Sequence, residues 1–219
     1  MRTLLSGPRL FVALLAAAPF ALGAQTFEAS VSTFMVQSNI LFTNTRAEQT
    51  GQWFSAEGAV RFGKLRASMA SAMGSLGGDS SLVNPDRDGR STILTAQLQA
   101  TSWLAVGPTA EARRFDSDAG IVVWRLIGLN AYMTPAVVSN VLTGLIDVSF
   151  WPAATIVEGD KMGLAFRTIA GATYHLAGGK AGIRLAYRFE RFDFDSQGAA
   201  ARLEQFRGAT LGAVFRFSR

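Results

Sequence analysis

The segment AGIRLAYRFERFDF, residues 181–194, decides the fold. Ile183, Leu185, Tyr187 and Phe189 fall on one side of an extended chain. Gly182, Arg184, Ala186, Arg188 and Glu190 fall on the other. A period of two marks a strand whose faces meet different surroundings. Arginines and long apolar side chains cannot share one environment, so one face meets hydrocarbon and the other meets water or counter-charge. The run is far longer than the roughly 5–6 residues of an ordinary strand. It suits a tilted strand crossing a bilayer, which takes ~9–11 residues.

The same period recurs along the chain. Ten strands are predicted, over 26–37, 51–62, 64–76, 91–102, 104–115, 121–133, 138–151, 161–175, 181–194 and 203–217. In the third, Leu65, Ala67, Met69 and Met73 oppose Lys64, Arg66, Ser68 and Ala70. In the last, Ala209, Leu211, Ala213, Phe215 and Phe217 oppose Gly208, Thr210, Gly212 and Arg216. Two strands are less regular: Arg125 shares a face with Ile127 and Leu129, and 138–151 has an ambiguous register, which leaves eight strands as the alternative count.

Connectors alternate between long polar loops (38–50, 77–90, 115–121, 152–160, 195–202) and tight turns (Gly63-Lys64, 102–104, 134–137, 177–180). Long loops at one end, short turns and both termini at the other, describe an up-and-down transmembrane β-barrel. Lipid hydrates no backbone group, so a sheet within it must close on itself. A soluble lipocalin-like barrel is the rival, and it would reverse the faces, placing apolar groups inside. Inward positions rich in small residues (Gly58, Ala70, Ala72, Gly107, Gly171, Gly182, Gly212) leave room for long charged chains.

The compartment follows from the leader. Arg2 and Arg9 precede LFVALLAAAPFAL (10–22), an export signal ending near Gly23 and too short for a spanning helix. Residues 1–23 are thus assigned to the signal and 24–219 to the barrel. There is no cysteine, so no disulfide supports the fold. Removing the two leader arginines from the formal net charge of +5 leaves +3, spread along strands rather than gathered with aromatics. Nucleic acid is therefore not an expected partner.

By register the interior carries Arg61, Arg66, Arg113, Arg167, Arg184, Arg188 and Arg216, opposed by Glu28, Glu57, Glu111, Asp147 and Glu190. Aromatic residues gather near strand ends: Trp53, Phe115, Trp124, Trp151 and Phe192 towards the long loops, Phe27, Phe62, Trp103, Tyr132, Tyr174 and Phe217 towards the short turns. They are expected to form two interfacial girdles.

Over its mature length the chain resembles the small single-chain outer-membrane β-barrel proteins of bacteria with two membranes. Residues 208–217, ending Phe215-Arg216-Phe217, resemble the C-terminal signal read by the barrel-assembly machinery, although Ser218 and Arg219 follow. The resemblance implies an outer-membrane location, with outer-membrane lipid and lipopolysaccharide as neighbours. Omptin-like proteases also have ten strands and combine a His with several acids at the outer rim; outer-membrane lipid deacylases pair a His with Ser. Here the single histidine, His175, falls near a short turn. A general base must reach its substrate, so no enzymatic role is expected.

Ala177-Gly178-Gly179-Lys180 lacks the Ser or Thr that a phosphate loop needs for its metal, and reads as a turn. Asp86-x-Asp88, Asp116-x-Asp118 and Asp193-x-Asp195 lack a full calcium-loop pattern, so neither metal nor cofactor is expected. Ten of the sixteen acids (Glu48, Asp79, Asp86, Asp88, Asp116, Asp118, Glu158, Asp160, Asp193, Asp195) lie in or beside the outer loops. The expected role is a structural barrel or a narrow passive pore, with the inner charges either plugging the lumen or lining a thin anion path. Surface adhesion or ligand binding through the acidic loops is the alternative.

Overall fold

A computed structural model describes residues 26–41, 46–78, 86–118, 120–138, 141–157, 161–176, 178–195 and 202–218. Its elements are β1 (Thr26–Leu41), β2 (Arg46–Phe62), β3 (Leu65–Gly77), β4 (Arg87–Gln99), β5 (Leu104–Ser117), β6 (Gly120–Met133), β7 (Ala136–Val138), β8 (Leu142–Val157), β9 (Lys161–His175), β10 (Ala181–Asp195) and β11 (Arg202–Ser218). Every long strand pairs antiparallel with the next long strand in sequence, β6 pairing with β8 past the three-residue β7. First and last strands seal the wall, Thr33 opposite Leu211 and Phe27 opposite Phe217. The result is a closed barrel of ten long strands, and the leader at 1–23 lies outside the described residues.

The strands run past the limits that apolar alternation marks. β1 reaches Leu41 and β2 starts at Arg46, so most of the loop expected over 38–50 is wall; β5 and β6 likewise run on towards a hairpin at Asp118. The physical reason lies on the outward face of β2. Arg46, Glu48, Thr50 and Gln52 are exposed and polar, whereas Phe54 begins the apolar belt. Ladder hydrogen bonding continues where lipid stops, so hydropathy ends a strand too early. With 17 residues at about 3.3 Å each and a tilt near 45°, β2 spans ~40 Å, more than the ~25 Å apolar band. The strand expected over 138–151 starts later, at Leu142, because the short β7 turns back to pair with the start of β8, with Gly144 N–H donating to Pro135 O at 2.8 Å.

The faces are unambiguous. Leu98, Ile127, Leu129, Leu185 and Leu211 all stand out from the wall, Ile127 and Leu129 being 64% and 62% exposed. Arg66, Arg113, Arg167 and Arg188 are buried inside. This is the reverse of a soluble ligand-carrying barrel. Gly58 is one correction: it shares the parity of exposed Phe54 and Phe62, and so belongs to the lipid face. Placing a charge at mid-wall should expose this polarity. Leu185→Arg is expected to destabilise the barrel by about 2–4 kcal/mol in vesicle unfolding titrations, and Thr50→Arg, above the belt, by about 0–1 kcal/mol.

Candidate functional site

Inside the barrel, three levels follow one another from the loop end to the turn end. The first is aromatic. Trp53, Phe115, Trp124, Trp151, Phe192, Phe194 and Phe206 form one buried cluster with Phe34, Val36 and Leu76. Phe115 stacks on Phe206 with centroids 6.0 Å apart, and Trp124 meets Phe192 at 4.9 Å. Two glycines make room: a Cβ on Gly89 would lie 2.2 Å from the Trp53 ring, and one on Gly74 would lie 2.6 Å from Trp53 Cα.

The expected girdles are therefore corrected at the outer rim. Trp53, Phe115, Trp124, Trp151 and Phe192 face the lumen, with Trp124 1% exposed and Trp151 and Phe192 0%. The sequence held the signal in its parity. Phe115 keeps step with Glu111 and Arg113, and Phe192 with Arg188 and Glu190; alternation sends all of them to one side. At the turn end, Phe62, Trp103, Tyr174 and Phe217 are exposed, Phe27 is half-buried against Phe217 (centroids 6.0 Å), and Tyr132 is turned inward.

The second level is ionic. Arg113 donates to Glu190 through Nη1 at 2.8 Å and Nη2 at 3.1 Å, and to Glu111 Oε1 through Nε at 2.8 Å. Arg188 Nε donates to Glu190 Oε1 at 2.9 Å. Arg167 lies 3.7 Å from both Glu111 and Asp147, and donates to Ser149 at 3.0 Å. The guanidinium of Arg113 also lies 4.9 Å from the Phe192 centroid and 5.4 Å from Phe206. Cation–π contact thus joins this level to the aromatic one.

A side branch runs through residues that sequence reasoning passed over. Arg87, expected in a loop, is the first residue of β4; it pairs with Glu204, donates to Gln49 at 2.7 Å and Ser38 at 3.1 Å, and lies 4.4 Å from the Phe115 centroid. Glu204 shares parity with Gly208 and Arg216, and that was its signal.

The third level continues by hydrogen bonds. Asn130 donates to Asp147 at 2.8 Å and Ser149 at 2.9 Å, accepts from Gln97, and Gln97 accepts from Arg66 at 3.0 Å. Arg66 pairs with Glu57 at 3.1 Å and lies 4.2 Å over the Tyr132 ring. Glu28 takes Arg184 at 3.4 Å and Arg216 at 3.0 Å. Arg61 stands at the mouth, directly opposite Arg66 on the neighbouring strand. A cavity of about 100 Å³ lies within, walled by Ser30, Ser32, Ser55, Ser68 and Ser71 among others; a wider vestibule of about 990 Å³ opens at the turn end.

No protein-family model matches the sequence, and no curated protein does either. The outer membrane protease OmpT from Escherichia coli superposes with a TM-score of 0.62 at 9% identity, over 89% of this chain and 97% of that one. The translocator domain of the autotransporter NalP from Neisseria meningitidis gives 0.44 at 11%, over 96% and 95%. Neisserial surface protein A gives 0.39 at 11%, over 87% and 97%. The chain has the fold of a transmembrane β-barrel. At these identities the likeness is one of architecture, and chemistry must be read from the residues.

His175 sits at the turn end, its Nε2 2.9 Å from Thr143 Oγ1, far from the loop rim. The rim acids are tied to the wall: Asp116 to Arg114 at 2.8 Å, Asp193 to Arg191 at 3.0 Å, Asp88 to Ser75 at 2.6 Å, and Asp86 to Gly78 N–H at 2.8 Å. Asp79, Glu158 and Asp160 lie outside the described residues. Among the described residues, no three His, Cys, Asp or Glu gather as metal ligands. Gly178 and Gly179 take positive φ angles of 82° and 67°, the geometry of a turn; Ala177 lies outside the described residues.

Breaking one partner of a buried ion pair strands the other charge, at about 3–5 kcal/mol. Arg113→Ala should therefore lower unfolding stability by that amount. Arg191→Ala, whose side chain is 39% exposed, should cost less than about 1 kcal/mol in the same vesicle titration.

Proposed function

We propose that this protein is a sealed, charge-braced barrel that serves the outer membrane as a structural element rather than as an open pore or an enzyme. One observation carries the reading: Trp124, Trp151, Phe192, Phe206, Arg113 and Glu190 are all essentially inaccessible to water. Nine of the ten long strands contribute a side chain to the buried aromatic and aliphatic cluster. The tenth, β4, contributes Arg87 and the Gly89 notch. Small barrels are filled by their side chains, whereas aqueous channels belong to about 16–18 strands. Pairing of Glu48, Asp116 and Asp193 with wall arginines weakens the competing reading of an acidic adhesive surface.

Assembly through the closing strand, by the barrel-assembly machinery, follows from the same reading. So does contact with lipopolysaccharide. Arg90 and Arg114 stand opposite each other on the outer wall, with Arg125 on the next strand, all exposed at the upper edge of the apolar belt. Guanidinium forks match phosphate geometry, and the lipid A of the outer leaflet carries phosphates. Substituting these three arginines with Gln should reduce co-purifying lipopolysaccharide without altering the heat-modifiable gel mobility of the folded barrel.

Planar bilayers test the seal. Wild-type protein is expected to give no steady conductance steps, while a variant with Trp124, Arg113 and Glu190 all replaced by Ala gives them. Reproducible wild-type steps from a folded, heat-modifiable preparation would overturn the reading.

A further inference from the structure

The vestibule at the turn end holds more guanidiniums than carboxylates. Three guanidiniums, Arg61, Arg66 and Arg216, line it with one carboxylate, Glu28, while Glu57 and Arg184 line the smaller cavity further in. Glu57 is taken by Arg66, and Glu28 is shared by Arg184 and Arg216. Among the described residues Arg61 has no carboxylate or other hydrogen-bond partner. It also sits directly opposite Arg66 across β2 and β3. Cβ atoms in such pairs lie about 4.5–5.5 Å apart, and like charges so placed repel.

The remaining lining is rich in donors. Thr26, Ser102, Thr134, Thr143 and His175 face the same space. Lys64 and Lys180 stand exposed on the turns that frame it. A volume of about 990 Å³ lies at the upper end of the range for small-molecule sites, about 300–1,000 Å³.

We propose that this vestibule binds a soluble phosphate monoester from the periplasmic side, with Arg61 and Arg216 as its principal ligands. A dianion answers the surplus of positive charge, and a phosphate offers three oxygens to guanidinium forks and hydroxyl donors. Arg66 contributes field from behind while remaining bonded to Glu57. The site lies within the wall, away from hydrocarbon, so a lipid headgroup is not its source. The vestibule is a receptor-like pocket open at the turn end. The inference goes beyond the sealed-barrel reading and does not need it, because binding and conductance are read separately.

The test uses the full-length barrel refolded in detergent, with phenyl phosphate as probe and benzoate as monoanionic control, followed by isothermal titration. One site is expected for phenyl phosphate, with benzoate weaker by about tenfold or more. Loss of a charge-assisted hydrogen bond should weaken phenyl phosphate by about tenfold or more in Arg61→Gln. Arg61→Lys should recover part of it, and Arg191→Gln, on the outer wall, should bind as wild type. Bound phenyl phosphate should also raise the temperature at which the folded gel band is lost, as any native-state ligand does, in wild type and not in Arg61→Gln. Arg61 has no ion pair to break, so this variant should keep its folded mobility without ligand. Undetectable binding, benzoate binding as tightly as phenyl phosphate, or a folded Arg61→Gln with wild-type affinity would overturn the assignment.

Discussion

A backbone in hydrocarbon has no water to turn to, and that constraint orders everything else in this molecule. Each N–H and C=O left unpaired in lipid costs several kcal/mol. β1 must therefore meet β11, and their register runs from Thr26 opposite Ser218 to Leu41 opposite Leu203. Once the wall is closed, strand alternation leaves two surroundings only. Half of the side chains face lipid and must be apolar. The other half face a lumen that has to be filled, hydrated or both.

The filling favours arginine for reasons that lysine could not meet. Arg113 binds Glu190 with two nitrogens and lies within reach of Phe192, Phe206 and Trp124. A planar, weakly hydrated cation can pair with a carboxylate through its edge and stack on a ring through its face. An ammonium would offer neither and would keep more of its water. The ionic level and the aromatic level are thus one packed unit. The unit carries a cost of its own: among the described residues the indole N–H groups of Trp53, Trp124 and Trp151 find no acceptor. At a membrane interface each would reach water. Their place here trades a hydrogen bond, ~1 kcal/mol net, for exclusion of water from the lumen.

Strand number, closure and the inner or outer side of most charges were legible because period-two alternation is strong where one side is lipid. Legibility fails where the contrast fails. Above the belt Gln52, Thr50, Glu48 and Arg46 continue the outward face of β2 with no change of polarity against water, so the strand reads as a loop. The aromatic residues failed for a different reason. Closeness to a strand end suggested interfacial anchoring, yet direction along a strand is set by parity, and Phe115 and Phe192 are in step with arginines and glutamates. Position told their height in the barrel; only parity told their side. Arg87 and Glu204 combine both effects, lying near strand ends and pairing across the lumen from β4 to β11.

Among the described residues, the unpaired guanidinium of the lumen, Arg61, stands where water is. Each arginine buried in the closed part, Arg87, Arg113, Arg167 and Arg188, has a carboxylate within 4 Å. An unpaired charge in the dry section would cost several kcal/mol, so balance there is a condition of folding. In the open vestibule solvent screens an extra guanidinium at little cost. Arg61 can therefore be kept without a partner, which stability alone would not select and an anion arriving from solution would use. The dry section requires its charges to be paired, and the open vestibule permits one that is not.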